Sequence, residues 1–348
     1  MSQSPMLSDQ ILRYKSWSVR YSADEWRFSA VILLVVLLFG LYLLTVGSYP
    51  LTLEKLVAVL TGEPKTAIDD RIVWHIRLPR IVTALFVGIA LGVSGSVFQS
   101  ISKNTLGSPD IIGFTTGAAT GALVQIILFE QQSERVMLSA LVGGILTAVL
   151  VYFVSRQSGR VGGYRLILMG IGIGAMLSAL NGLMLVKGNL DQAVVANLWL
   201  AGSLNGRTWG HAIPVMIGVL VIVPIVIFKA RTLNLIEMGD EIAGQIGVYV
   251  ERERLIMTLL SVALAALATG AAGPIGFIAL AAPQLAKRVL VHSPLPVVAS
   301  AAMGSSLLLM ADWLSQLKPF DIYLPIGQLT SLVGGLYLLW LLTRSKQM

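Results

Sequence analysis

The stretch FSAVILLVVLLFGLYLLTV, Phe28 to Val46, runs for nineteen residues without a charge. At about 1.5 Å of rise per residue, a helix of that length crosses the ~30 Å hydrocarbon core of a bilayer. Similar apolar runs recur near residues 81–99, 111–129, 136–155, 166–186, 212–228, 255–272, 277–291, 297–314 and 326–342. Ten candidate spans in 348 residues leave little chain for anything else. The composition agrees, with 55% hydrophobic residues, 12% charged and a mean hydropathy of +0.80, against about 25% charged in ordinary soluble domains. The sequence therefore predicts an all-α polytopic membrane protein with about ten transmembrane helices, and it excludes a large extramembrane catalytic domain.

The formal charge of +7 would suggest nucleic acid in a soluble chain. Here the basic residues lie between apolar runs, where they orient helices, so no nucleic-acid partner is expected. The first 27 residues are polar and carry Arg13, Lys15, Arg20 and Arg27. No small-residue cleavage site follows the long first span, which separates this start from a signal peptide. The expected organisation is a cytoplasmic tail over 1–27, a transmembrane domain over 28–344 and a cytoplasmic C-terminus over 345–348. With ten crossings and both termini inside, sixteen of the 25 basic residues fall on the cytoplasmic side, in the sense of the positive-inside rule.

Several chemistries are missing. There is no cysteine, and His75, His211 and His292 lie far apart, so no metal-ligand spacing exists and a transported metal would arrive already chelated. No Gly-Lys pair occurs in the chain, hence no phosphate-binding P-loop; if transport uses ATP, the ATPase is another chain and this one binds no cofactor. The clearest acid inside an apolar run is Asp312. That scarcity counts against ion-coupled transport, which needs ionisable groups at membrane depth.

Small residues at four-residue spacing, Gly88/Gly92 and Gly113/Gly117/Gly121, predict close helix packing. Gly170, Gly172 and Gly174 lie inside an apolar run with no preceding strand, which excludes a dinucleotide fingerprint. The start of one span at Arg80, reaching Ser94-Gly95, is loosely echoed by Arg254 reaching Thr269-Gly270; an inverted repeat and chance similarity are both open. The connection over 229–254 contains Met238-Gly239-Asp240-Glu241-Ile242-Ala243-Gly244-Gln245-Ile246-Gly247. Asp240 is expected to cap a short helix with an apolar edge of Ile242, Ala243 and Ile246, ended by Gly247. Such a helix suits either a groove on a partner or the membrane surface. Arg77-Leu78-Pro79-Arg80 precedes the second span, and its arginines suit either the headgroup level or an acidic partner. The segment 272–277 breaks a helical pattern, as a hairpin or as part of a path lining.

Taken together, these segments resemble the iron-siderophore (FecCD-type) permeases of bacterial ABC importers, the type II group that includes the membrane subunit of the vitamin B12 importer. The resemblance runs from about Ile76 to Leu342. It rests on Arg77-Leu78-Pro79-Arg80, Leu91 to Gln99, Asn104 with Leu106 to Phe114, Trp199 to Leu204, Gly239-Asp240-Glu241, Gly273 to Ile278 and Leu324-Pro325-Ile326-Gly327, in this order. The detail of Leu106 to Asp110, Ala201 to Gly206 with Trp209, and Glu237 to Asp240 is most similar to the ferric enterobactin branch. It departs from the family at Asn104-Thr105, usually Asn-Pro, and at Pro283-Gln284, usually Pro-His.

The resemblance implies a transport subunit rather than an enzyme. It would lie in the bacterial inner membrane, pair with a homologous permease subunit (as a heterodimer or a homodimer), and work with two cytoplasmic ATPase subunits and a periplasmic siderophore-binding protein. The cargo would be ferric enterobactin or another catecholate, with a hydroxamate siderophore, haem or cobalamin as alternatives. Asp240, Glu241, Ala243 and Gly247 would form the coupling helix on the ATPase. Arg77, Arg80 and Lys318 would meet acidic groups of the binding protein. Gly170, Gly174 and Asn181 would line the translocation path, although Asn181 also suits an interhelical hydrogen bond. An ion-coupled secondary transporter and an intramembrane enzyme are the competing classes.

Overall fold

The computed structural model describes residues 9–14, 17–47, 49–64, 66–129, 132–157, 160–161, 163–290, 295–317 and 324–344. The charged N-terminal segment forms an antiparallel hairpin, β1 (Asp9–Tyr14) with β2 (Trp17–Ser22). The first span, α1 (Ala23–Leu43), therefore begins five residues before the apolar run. Glu25 explains part of this extension: its carboxylate accepts from the Val298 amide at 3.2 Å and so satisfies an orphan donor at the start of a later helix.

Beyond α1 come three short elements absent from the sequence reading: α2 (Leu53–Leu60), α3 (Ala67–Arg71) and a π-helical turn, Ile72–Arg77. Thr52 and Thr66 accept bonds from the backbone of the first turns of α2 and α3, as N-caps do. The turn runs directly into α4 (Leu78–Ser102), with Pro79 in its first turn, where a missing N–H costs no helix bond. There follow α5 (Phe114–Leu128), α6 (Ser133–Ser155), a minimal hairpin of β3 (Arg156–Gln157) and β4 (Arg160–Val161), and α7 (Gly163–Lys187). The remaining helices are α8 (Leu190–Leu200), α9 (Trp209–Met238), α10 (Asp240–Gln245), α11 (Val250–Ala272), α12 (Ile278–Val289), α13 (Val297–Gln316) and α14 (Ile326–Arg344).

The ten expected spans correspond to α1, α4, α5, α6, α7, α9, α11, α12, α13 and α14. Among the described residues, seven helices are long and apolar enough to cross a membrane, one of them α4 with the α3 and π-helical segment before it. Of the remaining three, α5 and α12 are the shortest and have a common cause. The connections before them dip into the bundle: Gly113 lies against Gly170 and Gly174, and Gly273 against Trp199 and Gly202. Irregular backbone at that depth is tolerated because protein surrounds it; the segment 271–278 is buried or half-buried throughout.

Helix α4 is the axis of the bundle. Most of it is buried, whereas most of α1, α7 and α9 faces outward, and it packs against α13, α11, α9 and α12. Small residues make this possible. A Cβ on Gly92 would overlap the Ser300 carbonyl, one on Gly95 the Ala279 carbonyl, and one on Gly88 the backbone at Gly304 and Ser305. Gly117 and Gly121 likewise seat α5 on Thr147 and Ser139 of α6. The four-residue spacing thus serves helix packing. Two-thirds of the way along α4, Ser94 and Ser261 of α11 exchange hydrogen bonds at 2.9 Å, replacing water for two buried hydroxyls.

Candidate functional site

Because the spans alternate, the bundle has two ends: a near end, where α1 begins and α14 finishes, and a far end. The two segments expected to meet partners lie at opposite ends of α4.

At the far end, both arginines of Arg77-Leu78-Pro79-Arg80 turn inward. Arg77 is 8% exposed, and its guanidinium donates to the Leu44 and Tyr49 carbonyls, each at 2.6 Å. Leu44 follows the last residue of α1, where helix carbonyls lack intrahelical partners, so the turn recruits the cation. Arg80 pairs with Asp312 of α13 at 2.7 and 3.0 Å and donates to Asn205 at 2.6 Å. The Asp312 side chain is fully buried and also accepts from Gln316 at 2.9 Å. The acid that stood out in the sequence is therefore a partnered one. Nearby, the Trp209 indole donates to the Trp74 carbonyl at 2.9 Å, joining the π-helical turn to α9. Lys318 lies outside the described residues.

At the near end, α10 forms where expected, with one correction. Its N-cap is Gly239, which makes no side-chain cap bond; Asp240, expected to cap, is instead the first helical residue and reaches across to α11. Both of its oxygens accept from Arg254 at 2.9 Å, and Lys103, just past the end of α4, lies 3.6 Å away. Partial burial pushes the Asp240 carboxyl up, but the hydrogen bonds and charge of Arg254, with Lys103 behind them, outweigh it and hold the group below the usual 3.8. Arg254 also donates to Glu251 at 2.8 Å, and Tyr152 of α6 donates to Glu251 at 3.3 Å.

Ala243 is fully buried, so the expected apolar edge divides. Ala243 faces the bundle, while Ile242 and Ile246 are 47% and 63% exposed, beside exposed Glu241. Gly247 ends the helix at φ +92°, a conformation glycine adopts without a Cβ penalty. A recess of about 450 Å³ opens beside α10, bounded by Asp240, Glu241, Tyr249, Glu251 and Arg252.

The expected path residues behave differently from one another. Gly170 and Gly174 are buried against Ile112 and Gly113, where they allow α7 to touch the turn before α5. Asn181 is 7% exposed and its side-chain oxygen has no hydrogen-bond partner among the described residues. The sequence reading missed a second polar region. A cavity of about 420 Å³ is lined by Asp110, Thr115, Asn197, Pro274, Gly276 and Gln328, where α8, the 273–277 segment and the start of α14 meet. Phe277 holds φ +74° there, rare for a bulky residue. The pattern break at 272–277 was the available signal: the segment is a hairpin and also lines this cavity.

Among the described residues no cluster of His, Asp or Glu could hold a metal ion. The geometry is that of a buried helical bundle with one short, partly exposed helix at its near end.

The FecCD transport family matches residues 32–344. The ferric enterobactin transport system permease protein FepG of Escherichia coli (strain K12) is 42% identical over 88% of this chain and 93% of its own length. The iron(3+)-hydroxamate import system permease protein FhuG of Bacillus subtilis (strain 168) is 34% identical over 90% of this chain and 95% of its own. Among solved structures, a metal-chelate type ABC transporter in an inward-facing conformation superposes with a TM-score of 0.80 at 26% identity, covering 91% of this chain and 99% of that one. By sequence, by span order and by three-dimensional fold, the chain belongs to the FecCD transport family.

Proposed function

We propose that this chain is the inner-membrane permease subunit of an ATP-driven importer that carries a ferric catecholate, ferric enterobactin in the first instance, into the cytoplasm. The near end is cytoplasmic and both termini lie there. The observation that carries the reading is α10: a short helix fixed to the bundle by Asp240 and Ala243, with Glu241, Ile242 and Ile246 turned outward. An exposed apolar edge at the end of a membrane bundle suits insertion into a groove on a cytoplasmic ATPase subunit, two of which would serve a pair of permease subunits. Gly247 lets the chain turn back into α11 directly after that contact.

The far end receives the siderophore-binding protein. Arg80, with a side chain 17% exposed, presents the edge of its guanidinium to acidic groups, Arg77 fixes the surface around it, and Lys318 adds a third cation. The outward faces of α7 and α14, with Leu168, Met176, Leu183, Leu332 and Leu336 exposed, suit a second permease subunit. The path would run beside Asn181 and the cavity at Asp110. The kinship with FepG favours a catecholate, and that with FhuG makes a hydroxamate the alternative.

Uptake of radioiron as ferric enterobactin, beside a ferric hydroxamate and cobalamin, in cells with and without this chain tests the reading. Loss of enterobactin uptake alone is expected. Loss of another cargo alone would overturn the catecholate assignment, and uptake that collapses with the proton gradient while ATP is maintained would overturn the ATP-driven mechanism.

A further inference from the structure

The coupling reading treats the acids of α10 as one surface, but the structure separates them. Asp240 points away from the exposed edge of its own helix. It is gripped by Arg254, whose side chain is only 4% exposed, and approached by Lys103 at the close of α4. Lys103 is held at φ +50°, an unusual conformation for a lysine; its amide bonds the Ser100 carbonyl at 3.1 Å, so α4 ends at this residue. Arg254 is anchored independently of α10. It lies in the first turns of α11, its second nitrogen is held by Glu251, and Thr258 bonds its carbonyl at 2.7 Å.

From this geometry we infer that Asp240 is a positioning residue rather than an ATPase contact: its carboxylate clamps α10 between the inner ends of α4 and α11, so that a displacement of α10 is passed to those two buried helices. The inference rests on the reading of α10 as the ATPase contact. Two short connections flank α10, and the hydrogen bonds inside one turn and a half of helix are weak constraints on its orientation. The clamp supplies the missing constraint. Because α4 extends to Arg80 and through it to Asn205 in the 201–208 connection, the same helix reaches both proposed partner surfaces. Charge-assisted hydrogen bonds are suited to this work, being shorter and about twice as strong as neutral ones.

The test uses the complete transporter, with its ATPase subunits and binding protein, in proteoliposomes loaded externally with ferric enterobactin. Asp240→Asn removes the charge, Asp240→Glu keeps it, and Ile246→Asp alters only the exposed edge. The readouts are ATPase co-purification, thermal melting of the complex, and cargo transported per ATP hydrolysed. The expected result for Asp240→Asn is wild-type co-purification and only a small drop in melting temperature, with transport per ATP at least threefold lower; Asp240→Glu restores most of it. Unchanged transport per ATP in Asp240→Asn would overturn the inference, and so would loss of ATPase co-purification in that variant, which would place Asp240 at the interface. Should Asp240→Asn not assemble, Arg254→Lys, which keeps the charge and loses the planar guanidinium whose two terminal nitrogens hold Asp240 and Glu251 separately, is read in the same way. Ile246→Asp separates the two readings: normal co-purification and transport there refute α10 as the ATPase contact, whatever Asp240 does.

Discussion

Arg80 and Arg254 stand in the opening turns of the two central helices, α4 and α11, which run in opposite directions, and each binds an aspartate with both oxygens engaged. The burial is reversed. At the far end the acid is buried, Asp312 at 0% against 17% for the Arg80 side chain; at the near end the base is buried, Arg254 at 4% against 39% for Asp240. Asp312 sits on a long helix and has no second cation among the described residues. Asp240 sits on a six-residue helix, while Arg254 keeps Glu251 if Asp240 leaves. A buried acid with one cation makes a fixed joint. A buried base shared by two partly exposed acids makes a joint that can release one of them. The far end is thus built to hold, and the near end to be moved.

That contrast orders the expected effects. Arg80→Met leaves the fully buried Asp312 without its cation, and removing one partner of a buried pair costs about 3–5 kcal/mol; thermal unfolding of the purified chain in lipid nanodiscs should show it as the largest loss of the series. Arg80→Met combined with Asp312→Leu should recover much of the loss, and failure to recover would mean that the pair acts through something other than its charges. Arg254→Met leaves Asp240 and Glu251 able to hydrate, so its cost should be nearer that of lost charged hydrogen bonds, about 2 kcal/mol. If it matches Arg80→Met, the two joints are alike and the contrast fails.

Asp240→Asn should be the mildest, roughly 0.5–1 kcal/mol, as for partly exposed ion pairs, and its effect should shrink with added salt. Its pH behaviour follows from the direction of the shift. Asp240 is held below 3.8 by Arg254 and Lys103, with Glu251 the other acid facing Arg254. Its contribution is complete above the unfolded value and is lost as pH falls through the folded one. Hydrogen exchange at α10, taken relative to the intrinsic rate at each pH, should therefore be flat from pH 8 to about pH 5 and rise only below about 3.8. An increase near neutrality would show that another group controls the clamp.

The spans and their order were legible because apolar runs of membrane length are the strongest pattern a sequence carries. The packing glycines on α4 and α5 were legible for a related reason: a four-residue repeat of small side chains has few other uses in an apolar helix. Asp312 was visible as an oddity, since a lone acid in an apolar run requires a partner. Which partner was not visible, because Arg80 is 232 residues away and no local pattern links them. Asp240 was read as a cap because Asp after Gly at a helix start is a common local signal; a buried arginine on the next helix offered its side chain a stronger bond. α2, α3 and α8 were missed because they are short, and helices of 5–11 residues leave little periodicity to find.

The sequence by itself determined that the chain lies in a membrane, where its long apolar helices fall, and which loop forms a short helix. These depend on transfer of side chains from water to lipid and on neighbours a few residues apart, both written locally in the chain. Tertiary structure alone decided the direction of each charge at the two ends of α4. Arg77 and Arg80 point to carbonyls and an acid inside the bundle, and Asp240 to a base beneath its own helix. Where several partners of the right sign exist, the pairing chosen is set by distance and desolvation, and those exist only once the helices have packed.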